Sequence, residues 1–486
     1  MTALRHTPVN LSLSSAVYLA AGSALVLVVP GGFLGIKLFK EFTACHANGQ
    51  IAARLRELHQ QYGSTIALPI MGTKVVLTSD PENIQAILAT QFSSFGLSHF
   101  RHRQYQPLFG DGIFTSDGPR WEHSRRMLRP QFTKDQVPPL EWFDAHARRF
   151  IDCLPPGGQE FDVQQLFFRL ALDAATDFLF GESASFEGRQ GFAEAFDYAQ
   201  HVLFKRTIAF HFYWLFNPSR FRKANKTVHN FVQYYITKAI RAEKGDALEK
   251  QKTDRYCFLH ELAKQTHDEK ALRDQLVNVL LASRDDTASL LSSIVYFLAR
   301  DKRVWSKLEE EVLDAASGAE PVTLRDIQNL PYLRAVVNEA LRLFPPVPIN
   351  ARVALHDTII PTGGGPDGRS PIYIKRHQPV GYSVWTVHRR TDIWGPDAEV
   401  FRPERWADRK QAAWEFLPFN GGPRACLGQQ FAVTQASHLI FRLVQQFDCI
   451  ESAKSGADYE TNPPMRQTLT MCHENGVVVR MRRRQA

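Results

Sequence analysis

The longest apolar stretch of the chain opens at Ser12. It holds about twenty mostly apolar residues with no charge before Lys37, enough to cross the hydrocarbon core of a bilayer as one helix. Pro30, Gly31 and Gly32 interrupt its far end. A cleaved signal peptide would have a shorter apolar run and more basic residues than Arg5 ahead of it, so a retained anchor is expected. Lys37 and Lys40 outweigh Arg5, which puts the body on the cytosolic side. No comparable run follows. Residues 1–40 are therefore read as a single-pass membrane anchor and 41–486 as one globular body. Asn10-Leu11-Ser12 forms a glycosylation sequon on the luminal side; Asn225-Lys226-Thr227 forms another that would be cytosolic and unused.

Past the anchor the periodicity changes. "IAARLRELHQQYG" has helical spacing and closes at Gly63, and "STIALPIMGTKVVLTSD" reads as a hairpin around Gly72. "DPENIQAILA" opens with Asp80 as a cap and Pro81 in the first turn. From about residue 131 to 343 helical spacing dominates, with no fixed repeat. "VTLRDIQNLPYLRAVVNEALRLFPP" carries Thr323 and Asp326 near capping-box spacing and stops at a double proline. Residues 349–387 are richer in turns and short strands, and "PTGGGPDG" among them reads as a loop. Its glycines do not link a strand to a helix, so they carry no nucleotide-binding weight. The last long helix is "GQQFAVTQASHLIFRLVQQF". The fold class is mainly α with minor β, and no linker splits the body.

One segment conflicts with its surroundings. "LVNVLLASRDDTASLLSSIVYFLAR", residues 276–300, reads as a long buried helix. At its centre Arg284, Asp285, Asp286 and Thr287 stand in a row. Charges taken out of water must be paired or neutralised, so this row needs a reason.

Composition narrows the function classes. The 44% hydrophobic and 22% charged residues exclude general disorder. Net charge is +8, part of it in the tail "MRMRRRQA". There is no zinc-finger spacing, RNA-recognition signature or basic stripe interleaved with aromatics, so nucleic acid is not an expected partner. The six cysteines are scattered without a CxxC pair, which excludes a disulfide framework or a zinc site and suits a reducing compartment.

The most informative cysteine is Cys426, in "FNGGPRACLGQQFA". It stands in a Gly- and Pro-rich loop just before a helix, where free N–H groups and positive potential stabilise a thiolate. Glycines let the backbone approach something flat and large, and Arg424 can pair with an anion. Such a thiolate could ligate iron, attack an electrophile, or be a buried thiol.

The run resembles the haem-binding loop of the cytochrome P-450 haem-thiolate monooxygenases, Phe-x-x-Gly-x-Arg-x-Cys-x-Gly. Phe419, Gly422, Arg424, Cys426 and Gly428 fill the five defining positions. Glu339 and Arg342 in "NEALR" match the family's Glu-x-x-Arg, and Arg405 in "FRPERW" matches the third member of its structural triad. The likeness covers 51–486 and is nearest the fungal alkane- and fatty-acid-hydroxylating branch, in stretches such as "PENIQAILATQF" and "VHRRTDIWGPDAEVFRPERW". It departs in the segment "KEFTACHANGQ", which is short and lacks the usual prolines.

The resemblance implies the cytochrome P-450 fold, with a long central helix over the haem and a small β-rich region. It implies haem b with the Cys426 thiolate as axial ligand to iron. Trp121, Arg125 and Arg352 are then expected at the haem propionates, with Phe419, Arg424 and Gly428 completing the cofactor site. Asp285, Asp286 and Thr287 are the catalytic candidates on the oxygen side. Asp285 falls on the family's acid, while Ser283 replaces its glycine and Asp286 replaces its threonine. Three readings of Asp286 stay open: a protonated carboxyl in the threonine's role, a side chain turned to water or a cation, or a site with impaired oxygen activation.

The implied reaction is hydroxylation of a fatty acid or n-alkane, with electrons from NADPH through a separate flavoprotein reductase at the endoplasmic reticulum membrane. The alternatives are a monooxygenase acting on a terpenoid or polyketide, a haem-thiolate isomerase or dehydratase that needs no dioxygen, and a non-catalytic haem protein. Residues 93–114, 345–350 and 468–476 are expected to face the substrate.

Overall fold

The computed structural model describes residues 17–18, 27–32, 35–133, 138–155, 157–183, 190–243, 256–317, 322–408, 413–453 and 463–485. Helices form where their end signals stand. Asp80 caps Pro81–Gln85 by accepting from the Glu82 N–H, and Thr323 and Asp326 close a reciprocal capping box. Ile51–Tyr62 ends at Gly63. The hairpin Thr65–Ile70 with Thr73–Thr78 turns through Met71 and Gly72, both at positive φ. Pro331 cannot donate to a helix and keeps Leu330 extended, so the 323–345 stretch is two helices, Leu324–Asn329 and Pro331–Leu343.

The hairpin belongs to a seven-stranded sheet. In that sheet Thr73–Thr78 pairs parallel with Pro379–Ser383, which pairs antiparallel with Ile349–Ala354. Two larger apolar clusters lie among the helices. One joins Val163–Phe180, Thr287–Leu298, Pro331–Leu343 and Gln429–Gln446; the other gathers around Ser98–Phe109, Gln190–Ile208, Ser219–Glu243 and Glu269–Leu281. The sheet packs on a third.

Several expectations change. "PTGGGPDG" is not wholly a loop: Thr358–Gly364 and Ser370–Ile374 pair as strands, which confines the turn to 365–369. Gly363, at φ 106°, lies so close to Thr65 that a Cβ would come within 2.5 Å of the threonine side chain. The long helix expected over 276–300 is Glu269–Leu281 and Thr287–Leu298 joined by a π turn at Ala282–Asp286.

The anchor expected before residue 41 falls mostly outside the described residues, as does Asn10. Val17–Tyr18 and Leu27–Val28 are short paired strands, and Val28 pairs with Ala67. No helix among the described residues is long and apolar enough to cross a membrane. The boundary expected at residue 40 lies inside the helix Ile36–Ala47, whose Leu38 and Phe42 are buried against the body. Asn225 is buried in Ser219–Glu243.

A buried carboxylate fixes the segment that leads to Cys426. Glu339 and Arg342 are both 0% exposed. Arg342 Nε donates to Glu339 Oε2 at 2.9 Å and Nη2 to Oε1 at 2.8 Å. Arg405 Nε adds a bond at 2.8 Å, the Arg402 N–H one at 3.0 Å and Trp406 Nε1 one at 2.9 Å. Burial disfavours the charge, but the guanidinium groups of Arg342 and Arg405 outweigh it and lower the Glu339 pKa.

Arg342 Nη1 also donates to the carbonyls of His388 and Ala398. The His388 ring continues the path. Its Nε2 accepts from the Leu417 N–H at 2.8 Å, so its Nδ1 carries the proton and donates to the Arg342 carbonyl at 3.0 Å. Burial, with Arg342 nearby, pushes His388 down to about 3, so this neutral form persists through the physiological range.

Replacing Glu339 by Gln leaves two buried guanidinium groups facing each other without their counter-charge. It should cost about 3–5 kcal/mol. Urea unfolding of the haem-loaded protein checks this; a change within 0.5 kcal/mol, about the size of a surface substitution, would show that the cluster is not structural.

Candidate active site

The central helix and the cysteine loop enclose a cavity of about 270 Å³. The loop shapes its floor. The Cys426 N–H donates to the Phe419 carbonyl at 2.9 Å, and Gly422–Arg424 form a 3-10 turn. Cys426 lies just before Gln429–Gln446, with the Gly428 N–H directed at its sulfur. Asn420, at φ 63°, accepts from the Tyr382 hydroxyl at 3.1 Å, which ties the loop to the sheet. Gly422 serves a different purpose from the one expected. Its φ is 66°, and a Cβ there would lie 2.0 Å from the Leu88 carbonyl oxygen, so its bareness admits the neighbouring backbone rather than a flat ligand. Gly428 does line the cavity, as do Phe419, Arg424 and Cys426.

Trp121 and Arg125 reach the cavity from Gly118–Leu128, and Arg352 reaches it from Ile349–Ala354. Arg125 Nη1 donates to the Ala425 carbonyl at 3.0 Å. Arg424 Nη2 pairs with Asp117 Oδ1 at 2.5 Å, and its guanidinium lies 4.3 Å from the Trp121 ring centroid. Burial and the neighbouring cations Arg352, Arg101 and Arg125 bring Arg424 down to about 10, although Asp117 opposes them. This cationic edge needs anions. The Nε atoms of Arg101 and Arg424 are buried with no hydrogen-bond partner.

The central helix turns Val279, Ala282, Ser283, Asp286, Thr287 and Leu290 toward the cavity. The row of charges divides in two. Arg284 and Asp285 turn away: Arg284 Nη1 lies 3.2 Å from Asp285 and 2.5 Å from Asp197, so its charge is paired. Burial still pushes Asp285 up to about 6, against the pull of Arg284. Asp286 is different. Like that of Asp285 its Oδ1 is buried without a hydrogen-bond partner, but no cation among the described residues pairs with it, and burial together with the Asp285 charge pushes it up to about 8. Of the reading in which Asp286 turns to water or to a cation, only the water-facing form is compatible with the described residues. Ser283 gives its hydroxyl proton to the Val279 carbonyl at 2.9 Å, so toward the cavity it can act only as an acceptor.

Expected lining segments divide as well. Leu97, Arg101, Ile113 and Phe114 of the first, and Pro346, Val347 and Asn350 of the second, line the cavity. Residues 468–476 do not; Met471 and Cys472 are buried, and the Met471 carbonyl accepts from the Ser289 hydroxyl. Arg101 and Asn350 were expected only as members of those segments, and Tyr382 was not expected at all. Arg101 stands among other basic residues on Ser98–Phe109, and only the fold separates it from the exposed ones.

Residues 30–474 match the family model described as Cytochrome P450. The chain belongs to the cytochrome P450 family. It is 46% identical to "Cytochrome P450 52A12" of Debaryomyces hansenii, over 92% of this chain and 90% of that protein. It is 43% identical to "Cytochrome P450 52A6" of Candida tropicalis, over 93% and 90%. The crystal structure of the cytochrome P450DA heme domain superimposes with a TM-score of 0.77 at 23% identity, covering 95% of this chain and 98% of that one, which shows the shared fold.

A cytochrome P450 is a monooxygenase with haem b and an axial cysteine thiolate, and the cavity suits that group. It offers one cysteine thiol, an apolar interior and a cationic edge with unpartnered guanidinium nitrogens.

The Asp286 shift predicts a pH signature. Its pKa rises from 3.8 to about 8 on folding, so folding takes up a proton between those values. Wild type loses that contribution as pH climbs through the window, while Asp286→Asn loses nothing. The melting temperature of Asp286→Asn should therefore gain on wild type as pH rises from about 4 to about 8, with both proteins haem-loaded. A difference that stays constant with pH would show that Asp286 is charged throughout.

Proposed function

We propose that this chain inserts one atom of dioxygen into a C–H bond of a fatty acid or n-alkane, using two electrons from NADPH delivered by a separate flavoprotein reductase. The observation that carries this reading is the arrangement around the cavity. Cys426 and a cationic edge form one side, Asp286 and Thr287 another, and apolar residues such as Ile113, Phe114 and Val347 the remainder.

In this reading Cys426 ligates the iron, and Trp121, Arg125, Arg352 and Arg424 hold the propionates. Arg is suited to this because its fork bonds a carboxylate through two N–H groups. Bound haem supplies the activation of dioxygen, to which the axial thiolate contributes electron density. The chain's own residues manage protons and water. Asp286 carries its proton at neutral pH, so its carboxyl donates into the cavity as the family's threonine hydroxyl would. Asp285, beside it, is held by Arg284 next to the exposed Asp197, and so connects the site to bulk water. Thr287 supplies a further hydroxyl at the cavity wall. The overall balance is substrate, dioxygen, NADPH and one proton going to alcohol, water and NADP+.

The reductase docks on the Cys426 side. Arg126 and Arg129 are exposed on and just past the helix that carries Trp121 and Arg125, and they complement an acidic partner. The body sits on the cytosolic face of the endoplasmic reticulum membrane, tethered by the apolar segment that begins at Ser12. Exposed Trp214 and Leu215, each 61% accessible, support this placement. Their segment is joined to the hairpin by the Thr73–His211 hydrogen bond.

The test is a reconstituted assay with the full chain, a reductase, lipid vesicles and isotopically labelled dioxygen. A fatty acid or n-alkane should gain one labelled oxygen per product molecule, only with NADPH, and more slowly as salt is raised. The chain should sediment with the vesicles, and a version lacking residues 1–34 should not. Rearrangement of a fatty hydroperoxide without NADPH would replace the proposal with an isomerase, and turnover of a terpenoid alone would change the substrate class.

A further inference from the structure

Hydrogen peroxide already holds what the oxygen reaction has to collect. It equals dioxygen plus the two electrons and two protons that a reductase and the solvent otherwise deliver. Using it in their place takes one operation: the proton on the oxygen to be transferred must move to the oxygen that leaves as water. A hydroxyl side chain does this poorly, because it donates a proton but hardly accepts one at neutral pH. A carboxyl side chain does both.

The cavity has such a carboxyl at the position where the family has a threonine. Asp285 and Thr287 on either side are buried, but Asp286 is only half-buried, and its open side is the cavity. Ala282, four residues back, also lines the cavity and is too short to cover the carboxyl. The Asp286 Oδ1 has no hydrogen-bond partner, so nothing fixes its proton in one place. Cys426 lies near enough to feel the Asp286 charge, with no hydrogen bond between the two side chains. Among the described residues that line the cavity, no histidine, glutamate or lysine competes for the proton. The four guanidinium groups keep theirs, and Ser283, Thr287 and Tyr382 carry hydroxyls. With burial and Asp285 bringing Asp286 to about 8, its base and acid forms are both populated near neutral pH.

We propose that this chain also uses hydrogen peroxide directly as an oxygen donor, with Asp286 moving the proton, and so hydroxylates a hydrocarbon chain without NADPH, reductase or dioxygen. This rests on the reading of the cavity as a haem site for long-chain substrates. Bound haem supplies the place where the O–O bond breaks. Asp286, as a carboxylate, accepts the proton of the near oxygen and, as a carboxylic acid, gives it to the far oxygen, which departs as water. The balance is R–H and hydrogen peroxide going to R–OH and water. The O–O and C–H bonds break, a C–O and an O–H bond form, and the two electrons lost by carbon are gained by peroxide.

The test compares full-length, haem-loaded wild type, Asp286→Asn and Asp286→Thr, with rates expressed per bound haem. Asparagine keeps the size but cannot exchange a proton; threonine restores the family's hydroxyl. A fatty acid and an n-alkane are first given isotopically labelled hydrogen peroxide without NADPH or reductase. Wild type should place one labelled oxygen in each product molecule, and both variants should be slower by about a hundredfold. The ratio of peroxide-driven to NADPH-driven product should fall about tenfold or more from wild type to Asp286→Thr. The second measurement involves no turnover: the optical change as cyanide binds the ferric protein. Cyanide arrives as neutral hydrogen cyanide and binds as the anion, so its proton needs the same base. Its association should slow about tenfold or more in both variants. Peroxide rates alike in all three proteins, or cyanide association unchanged by either substitution, would overturn the proposal. So would a wild type that hydroxylates with NADPH and not with peroxide, a result that leaves the proposed monooxygenase intact. Product by neither route would overturn that reading as well.

Discussion

The buried Glu339 carboxylate is the interaction on which the active site depends. A single anion at 0% exposure collects bonds from two guanidinium groups, an indole and a backbone N–H. Such a cluster gives little net stability over a well-packed apolar one, because desolvation offsets most of the Coulomb gain. Its consequence is positional. Arg342 holds the carbonyls of His388 and Ala398, and the His388 ring holds Leu417. From Leu417 a short loop reaches Cys426, whose N–H returns to Phe419. The cysteine is therefore placed by a chain of directional bonds that starts more than eighty residues earlier in the sequence.

The charges on the central helix follow a different logic. Arg284 and Asp285 neutralise each other beside the solvent-facing Asp197 and leave the helix intact. Asp286 has no ion-pair partner among the described residues, and burial beside Asp285 favours its protonated form. One row of charges thus yields a paired group facing away from the cavity and a neutral acid facing into it. The π turn at Ala282–Asp286 inserts one residue into the helix at this point, so the polar row and the irregular backbone coincide.

How much of this the sequence disclosed depended on whether a residue's role was local. The Asp80 and Thr323 caps were legible because each is a short pattern with a fixed geometric purpose, whereas the role of the cysteine loop and the pairing of Glu339 with Arg342 and with Arg405, 66 residues on, came from the family resemblance. The π turn was not legible, since "ASRDD" carries no proline or glycine to mark it. Gly422 was read as clearance for a ligand when it clears Leu88, a neighbour more than three hundred residues away in sequence. Arg101 was hidden among His99, His102 and Arg103: of this basic group it alone lines the cavity, and only the packing of Ser98–Phe109 reveals that. The extent of "PTGGGPDG" was missed because strand pairing there overrides a glycine-rich composition.

Every role assigned to the cavity residues requires Cys426 as the thiolate ligand. The most direct measurement is the difference spectrum of the reduced protein with carbon monoxide, for wild type and for Cys426→Ala produced with full haem supply. Wild type should show a thiolate-type Soret band that is completely lost in Cys426→Ala, with the apoprotein still folded by circular dichroism. A thiolate-type band that survives in Cys426→Ala would contradict this assignment.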